Sequence, residues 1–90
     1  MASVTLPAGL QKYFDDKTKL SVSATTVQEL LKQLETSYPT SKRKLLEADG
    51  SLCRYIRIFV DSEDIGDLKS LKTSLNEHSN VKILMALAGG

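Results

Sequence analysis

The stretch from Thr26 to Tyr38 constrains this chain most, because it carries the one strong amphipathic-helix pattern in the sequence. Val27, Leu30, Leu31, Leu34 and Tyr38 recur at about 3.6-residue spacing and so form one apolar stripe. Gln28, Lys32, Gln33 and Glu35 fill the other face. Thr26-Val27-Gln28-Glu29 fits a capping box, in which the hydroxyl satisfies an orphan backbone donor and the carboxylate reaches back. Pro39 disfavours helical geometry at Tyr38 and stops the helix there. A single apolar stripe must be buried against another layer, and the rest of the chain offers strands for that layer.

Val4 and Leu6 flank Thr5 in a short alternating run that Pro7 ends by removing a ladder donor. Ala8 to Thr18 is a long connection whose Leu10, Tyr13 and Phe14 pin it to the core. Leu20 to Ala24 alternates with a period of two, which predicts a half-buried second strand. Ser41 to Ala48 is polar and carries Lys42, Arg43 and Lys44, a solvated basic face or a point of attraction for an acidic partner. Asp49-Gly50 marks a turn. Leu52 to Val60, rich in β-branched and aromatic residues, is the best strand, with Ile56, Ile58 and Val60 on one face and Tyr55, Arg57 and Phe59 on the other. A tight turn over Asp61 to Asp64 leads into a short return strand starting at Ile65. Leu68, Leu71 and Leu75 read as loop anchors, and Asn76 to Asn80 as a polar turn. Val81 to Leu87 is the last strand, with Val81, Ile83 and Met85 opposite Lys82, Leu84 and Ala86.

The order is strand, strand, helix, strand, short strand, strand. Its simplest closed solution is an α+β fold of the β-grasp, ubiquitin-like type. A mixed sheet of four to five strands wraps one main helix, and the first and last strands are parallel neighbours. With 90 residues, one domain is expected, spanning 1–86, with 87–90 as a flexible diglycine tail. A formal charge of +1 gives no support to a nucleic-acid or membrane-surface protein. One Cys and one His remove a disulfide framework and make a Cys/His metal centre an unsupported reading. No run approaches the about 20 apolar residues that span a bilayer, and Met1 to Thr5 has no secretory pattern, so a reducing, cytoplasmic setting is expected.

Catalytic candidates are few. Cys53 at the edge of a strand lacks the electropositive surroundings that make a thiol reactive, Arg54 alone being thin support. His78 belongs to a solvated Glu-His-Ser-Asn turn, and Asp15-Asp16 and Glu63-Asp64 are neighbours along turns rather than facing carboxylates in a shielded pocket. Gly50 and Gly66 fit no phosphate-binding loop. Two features remain. The first is Ala88-Gly89-Gly90, which on spacing alone reads either as a frayed terminus or as one whose wide backbone freedom and small cross-section let it thread a narrow channel and present the Gly90 carboxylate. That carboxylate is unreactive until activated, for instance as an acyl adenylate. The second is an apolar patch turned away from the helix, formed by Tyr55, Phe59 and Leu84 and joined by Ile65, which marks an interaction site.

These residues resemble the sulfur-carrier branch of the ubiquitin-like proteins. That branch holds the small subunit of molybdopterin synthase, the thiamine sulfur carrier, and carriers of cysteine and related biosyntheses. The resemblance runs from Val4 to Gly90 and rests on Ala24-Thr25-Thr26-Val27, Glu29-Leu30-Leu31, Tyr38-Pro39, the run Tyr55 to Ile65, Val81-Lys82-Ile83-Leu84 and Ala88-Gly89-Gly90. Glu63-Asp64-Ile65 and the Ala-Gly-Gly ending look closer to the cysteine-type carriers than to the molybdopterin subunit. Many relatives have Asn-Gly where Asp61-Ser62 stands, Gly-Asp at His78-Ser79, and a proline near Met85.

The resemblance implies a carrier that is a cosubstrate and not an enzyme, with no bound cofactor. An E1-like enzyme would use ATP to adenylate Gly90, a sulfur donor would convert it to a thiocarboxylate, and the tail would deliver sulfide to a biosynthetic enzyme. Gly90 would bear the sulfur, Ala88 and Gly89 would thread the partner, and Phe59, Ile65 and Leu84 match the family's docking face. The alternatives are the molybdopterin synthase small subunit, a ubiquitin-like modifier joined to lysines through Gly90, and a passive binding module.

Overall fold

The computed structural model describes residues 1–86. Its five strands are β1 (Ala2–Thr5), β2 (Lys19–Val22), β3 (Ile56–Val60), β4 (Glu63–Asp64) and β5 (Asn80–Met85), and its helices are α1 (Ala8–Gln11) and α2 (Val27–Ser37). They form one mixed sheet in the order β2-β1-β5-β3-β4. β1 and β5 are parallel through Ser3↔Asn80, Val4↔Val81 and Thr5↔Lys82, while the other pairs are antiparallel. The mixed sheet and its one main helix are the β-grasp arrangement expected from the order of elements.

Helix α2 forms where its stripe dictates. Val27, Leu30, Leu31 and Leu34 are buried, and they join Val4, Ile58, Val81 and Ile83 in the core cluster. Thr26 Oγ1 accepts the Glu29 amide at 3.2 Å, a cap worth about 1 kcal/mol. The Glu29 carboxylate reaches back one residue farther than a capping box requires, to the amide and hydroxyl of Thr25. The alternation in the strands is equally literal: β2 buries Leu20 and Val22, and β3 buries Ile56, Ile58 and Val60.

The differences from the sequence reading lie at element ends. β3 begins at Ile56, not Leu52, because residues 52–55 turn back on the preceding loop. Leu52 bridges Leu46, and the Cys53 amide donates to the Leu45 carbonyl at 2.9 Å. The return strand is Glu63–Asp64 and stops before Ile65, which opens a 3-10 turn capped by Asp64 Oδ1 on the Gly66 amide at 2.8 Å. That turn swings the Ile65 side chain into the core, where it is buried. Leu75 is buried as an anchor, whereas Leu68 is exposed and anchors nothing. Asp61 (φ 49°) and Ser62 (φ 75°) both occupy the left-handed region that a two-residue hairpin demands, so the turn keeps its geometry without Asn-Gly.

Leu10 and Phe14 are buried, and the connection Ala8 to Thr18 does pin itself to the core. It closes the end of the sheet under the α2 C-terminus, with Phe14 edge-on to Tyr38 at 5.3 Å between centroids, and Thr40 Oγ1 donating to the Tyr13 carbonyl at 2.9 Å.

Candidate functional site

The geometry of the site begins with where β5 leaves the sheet. Parallel pairing with β1 and antiparallel pairing with β3 place the end of β5 beside the segment after β1 and the segment before β3. Accordingly, the Ala86 amide donates to the Tyr55 carbonyl at 2.7 Å, and Met85 packs beside Gly9 so closely that a Cβ there would meet its ε-methyl. Ala86 is the last described residue; the expected sulfur-bearing Gly90 and threading residues Ala88 and Gly89 lie outside the described residues.

The outer face of the sheet carries two of the expected docking residues, Phe59 and Leu84. Register sets Phe59 opposite both Lys82 and Asp64, and Leu84 opposite Arg57, so these side chains share the face turned away from α2. Leu84 and Tyr55 are exposed, at 37% and 40%, and Phe59 is half-buried. A shallow groove runs over Thr5, Phe59, Lys82 and Leu84. Ile65 does not join them. At 4% exposure it is a core residue, because its 3-10 turn directs it inward where a continued strand would have directed it outward.

Charge on this face is partly neutralised. Arg57 pairs with Asp64. The guanidinium, together with the Gly66 amide, holds the Asp64 carboxyl below its ordinary range, and the carboxylate in turn raises Arg57. The pair contributes little to stability by itself, since Arg57 is mostly in water. Sequence reading placed Arg57 on this face but did not find its partner. Asp64 pairs with Phe59, which leaves Arg57, two residues earlier on the same face, diagonal to that carboxylate.

Cys53 is buried, with Sγ donating to the Arg43 carbonyl and lying near Glu47 Oε1. Burial first, and then the Glu47 carboxylate, push its thiol up, which is the opposite of an activated nucleophile. Partial burial also pushes up the neighbouring Tyr55 phenol. His78 stands in solvent beside Glu77. Asp15 and Asp16 take left-handed turn conformations and are exposed. Among the described residues no group of His, Cys, Asp and Glu is placed to hold a metal ion, and no helix is long and apolar enough to cross a membrane. The side chains described here offer binding surfaces and no acid–base or nucleophilic constellation.

A basic cluster also lies on the connection after β1, whose Gly9 packs against Met85 at the end of β5, and the sequence alone did not assemble it. Lys12 and Lys44 both lie over the Tyr13 ring, with Nζ 5.2 and 4.8 Å from its centroid, and Lys17 lies 5.8 Å over Tyr38. The loop that carries Lys44 is fixed by Glu35, whose Oε2 accepts the amides of Leu45 (3.1 Å) and Leu46 (3.0 Å).

Known proteins share this sequence pattern and this shape. The ThiS family matches residues 4–90. The chain is 29% identical to the sulfur carrier protein CysO of Mycobacterium tuberculosis, over 98% of this chain and 97% of that protein. It superposes on a chain of the Amycolatopsis orientalis BexX/CysO complex with a TM-score of 0.90, covering 100% of both at 24% identity, a likeness of fold. It also superposes on small archaeal modifier protein 1 of Methanosarcina acetivorans with a TM-score of 0.88 and 27% identity, covering 99% of this chain and 95% of that one. A β-grasp sheet with an exposed outer face, matched along nearly all its length, makes this chain a member of the ThiS family and a homologue of the CysO sulfur carriers.

Proposed function

We propose that the protein carries sulfur as a thiocarboxylate on Gly90 and hands it to a biosynthetic enzyme of the cysteine-type or a related pathway. The observation that supports this most directly is the family match, which runs through the Ala88-Gly89-Gly90 segment to residue 90. The reading requires only that Gly90 bear a free carboxylate when it is activated, by translation or by trimming. An oxygen of that carboxylate attacks the α-phosphorus of ATP on an E1-like enzyme and displaces pyrophosphate. A hydrosulfide equivalent from the sulfur donor then displaces AMP from the acyl adenylate and leaves the thiocarboxylate. Transfer of that sulfur to the acceptor, followed by hydrolysis, restores the carboxylate.

The folded body supports this sequence of events as a handle. In this reading the carrier is a cosubstrate and ATP belongs to the activating partner. Tyr55, Phe59 and Leu84 form the face that docks, and the likeness to a chain of the Amycolatopsis orientalis BexX/CysO complex supports a carrier that works with a protein partner. The test is ATP-dependent pyrophosphate release by the E1-like enzyme of the same organism. Wild-type protein is expected to support it, and a chain lacking Gly89 and Gly90 is not; equal activity of the two would refute the proposal. The likeness to a small archaeal modifier keeps conjugation through Gly90 as the second reading, distinguished by covalent adducts on lysines of other proteins.

A further inference from the structure

Lys12, Lys17 and Lys44 converge on two tyrosine rings, and the connection that carries Lys12 and Lys17 also sets Gly9 against Met85 at the end of β5. They come from different segments: Lys12 and Lys17 from the connection after β1, and Lys44 from the loop between α2 and β3. Lys12 and Lys44 rest over one ring, so they lie within about a Debye length of each other at 0.1 M salt and are incompletely screened. Exposed Lys42 and Arg43 extend the same loop.

The carboxylates of the neighbouring segments make no ion pair with these lysines. Glu35 is bonded to the Leu45 and Leu46 amides, and Glu47 faces Cys53. Asp15 and Asp16, the acids nearest in sequence, make no ion pair with these lysines. Among the described residues the only acid–base contacts within 4 Å are Arg57–Asp64 and His78–Glu77, and neither involves these lysines. Three of the 12 Lys and Arg residues of a chain of net charge +1 thus gather over two rings. Tyrosine faces lessen the repulsion between the ammoniums but leave the charge in place.

We infer that this basic cluster docks against acidic side chains ringing the channel that receives the tail on the adenylating enzyme, guiding the terminus into it. The inference rests on the carrier reading given above and adds the chemistry of the partner's rim. A protein rim fits better than a nucleic acid because the lysines gather over two rings, Tyr13 and Tyr38. Such a cluster is not a stripe that could follow a phosphate backbone. Charges placed at the rim of an interface act mainly on encounter and leave the chemical step unchanged.

The test compares wild type, Lys12→Glu/Lys44→Glu and Lys12→Arg/Lys44→Arg in ATP–pyrophosphate exchange with the adenylating enzyme of the same organism, with folding checked by circular dichroism. The Glu variant is expected to raise the KM for the carrier about tenfold at low salt with kcat unchanged, the difference shrinking as salt approaches about 0.5 M, and the Arg variant to behave as wild type. An unchanged KM, or a change independent of salt, overturns the inference while the carrier reading stands. Failure of the wild type to be adenylated overturns the carrier reading and the inference with it. Retention of wild type but not the Glu variant on single-stranded RNA, with KM unchanged, assigns the cluster to a nucleic acid and refutes the acidic rim.

Discussion

Replacing Glu35 with alanine removes the acceptor for two backbone amides at once. Its Oε2 lies 3.1 Å from the Leu45 nitrogen and 3.0 Å from that of Leu46, in a loop whose two leucine side chains are buried. A hydrogen bond to a charged group is worth about 1.5–3 kcal/mol when its loss strands the donor. Glu35 is only half-buried, so water can recover part of that. The expected loss for the pair is therefore about 2–3 kcal/mol, at the lower end of the range. A domain of 90 residues has about 5–13 kcal/mol in total, and the melting temperature should fall by about 10–20 °C. Glu35→Gln keeps an oxygen acceptor and should cost about 1 kcal/mol. Urea unfolding followed by far-UV circular dichroism measures both, with an unchanged slope indicating an unchanged denatured state. Amide exchange should separately report lost protection at Leu45 and Leu46. If the alanine variant lies within about 0.5 kcal/mol of wild type, or the glutamine variant is as damaged as the alanine one, the carboxylate does not hold this loop.

Three further outcomes follow from particular residues. Ser62→Gly should stabilise the protein by about 0.5–1 kcal/mol in the same urea assay, because left-handed backbone costs serine about 1–2 kcal/mol and the gain is partly offset by glycine's freedom in the unfolded chain. Cys53 should resist alkylation at pH 8 in the folded protein and react once urea unfolds it. Because its folded pKa is raised, the native state holds the proton longer than the unfolded chain does, so this group's contribution to stability is lost as pH rises above about 8.5, the ordinary thiol value. Asp64 has the opposite sign. Its folded pKa is depressed, so its stabilisation is present above the ordinary value of about 3.9 and is lost as pH falls through the folded one. NMR titration of Arg57→Ala should return Asp64 towards the ordinary carboxylate range.

Those perturbations also mark how far the sequence could be read. The α2 stripe, the alternation in β2, β3 and β5, and the parallel pairing of β1 with β5 follow from periodicity and from the need to bury one helix face, and all are legible without coordinates. Ile65 was not, because a return strand and a 3-10 turn share the same opening residues and only the Asp64 cap on Gly66 selects the turn. Leu52 looked like strand by composition, yet its loop preferred a bridge to Leu46. Phe59 and Leu84 could be placed from strand parity alone. Lys12 and Lys44 could not be brought to one ring, because they are far apart in sequence and no local pattern encodes that meeting. Glu35 sat among solvent-facing residues of the helix and gave no sign of holding a distant loop.

What ties the account together is the chemistry assigned to Gly90, and intact-mass analysis of the protein purified from its own cell under sulfide-preserving conditions tests it most directly. The expected result is a population in which one terminal oxygen is replaced by sulfur, lost when Gly90 is deleted. A terminus found only as carboxylate, in cells actively drawing on the pathway, or only in amide linkage to lysines of other proteins, would contradict it.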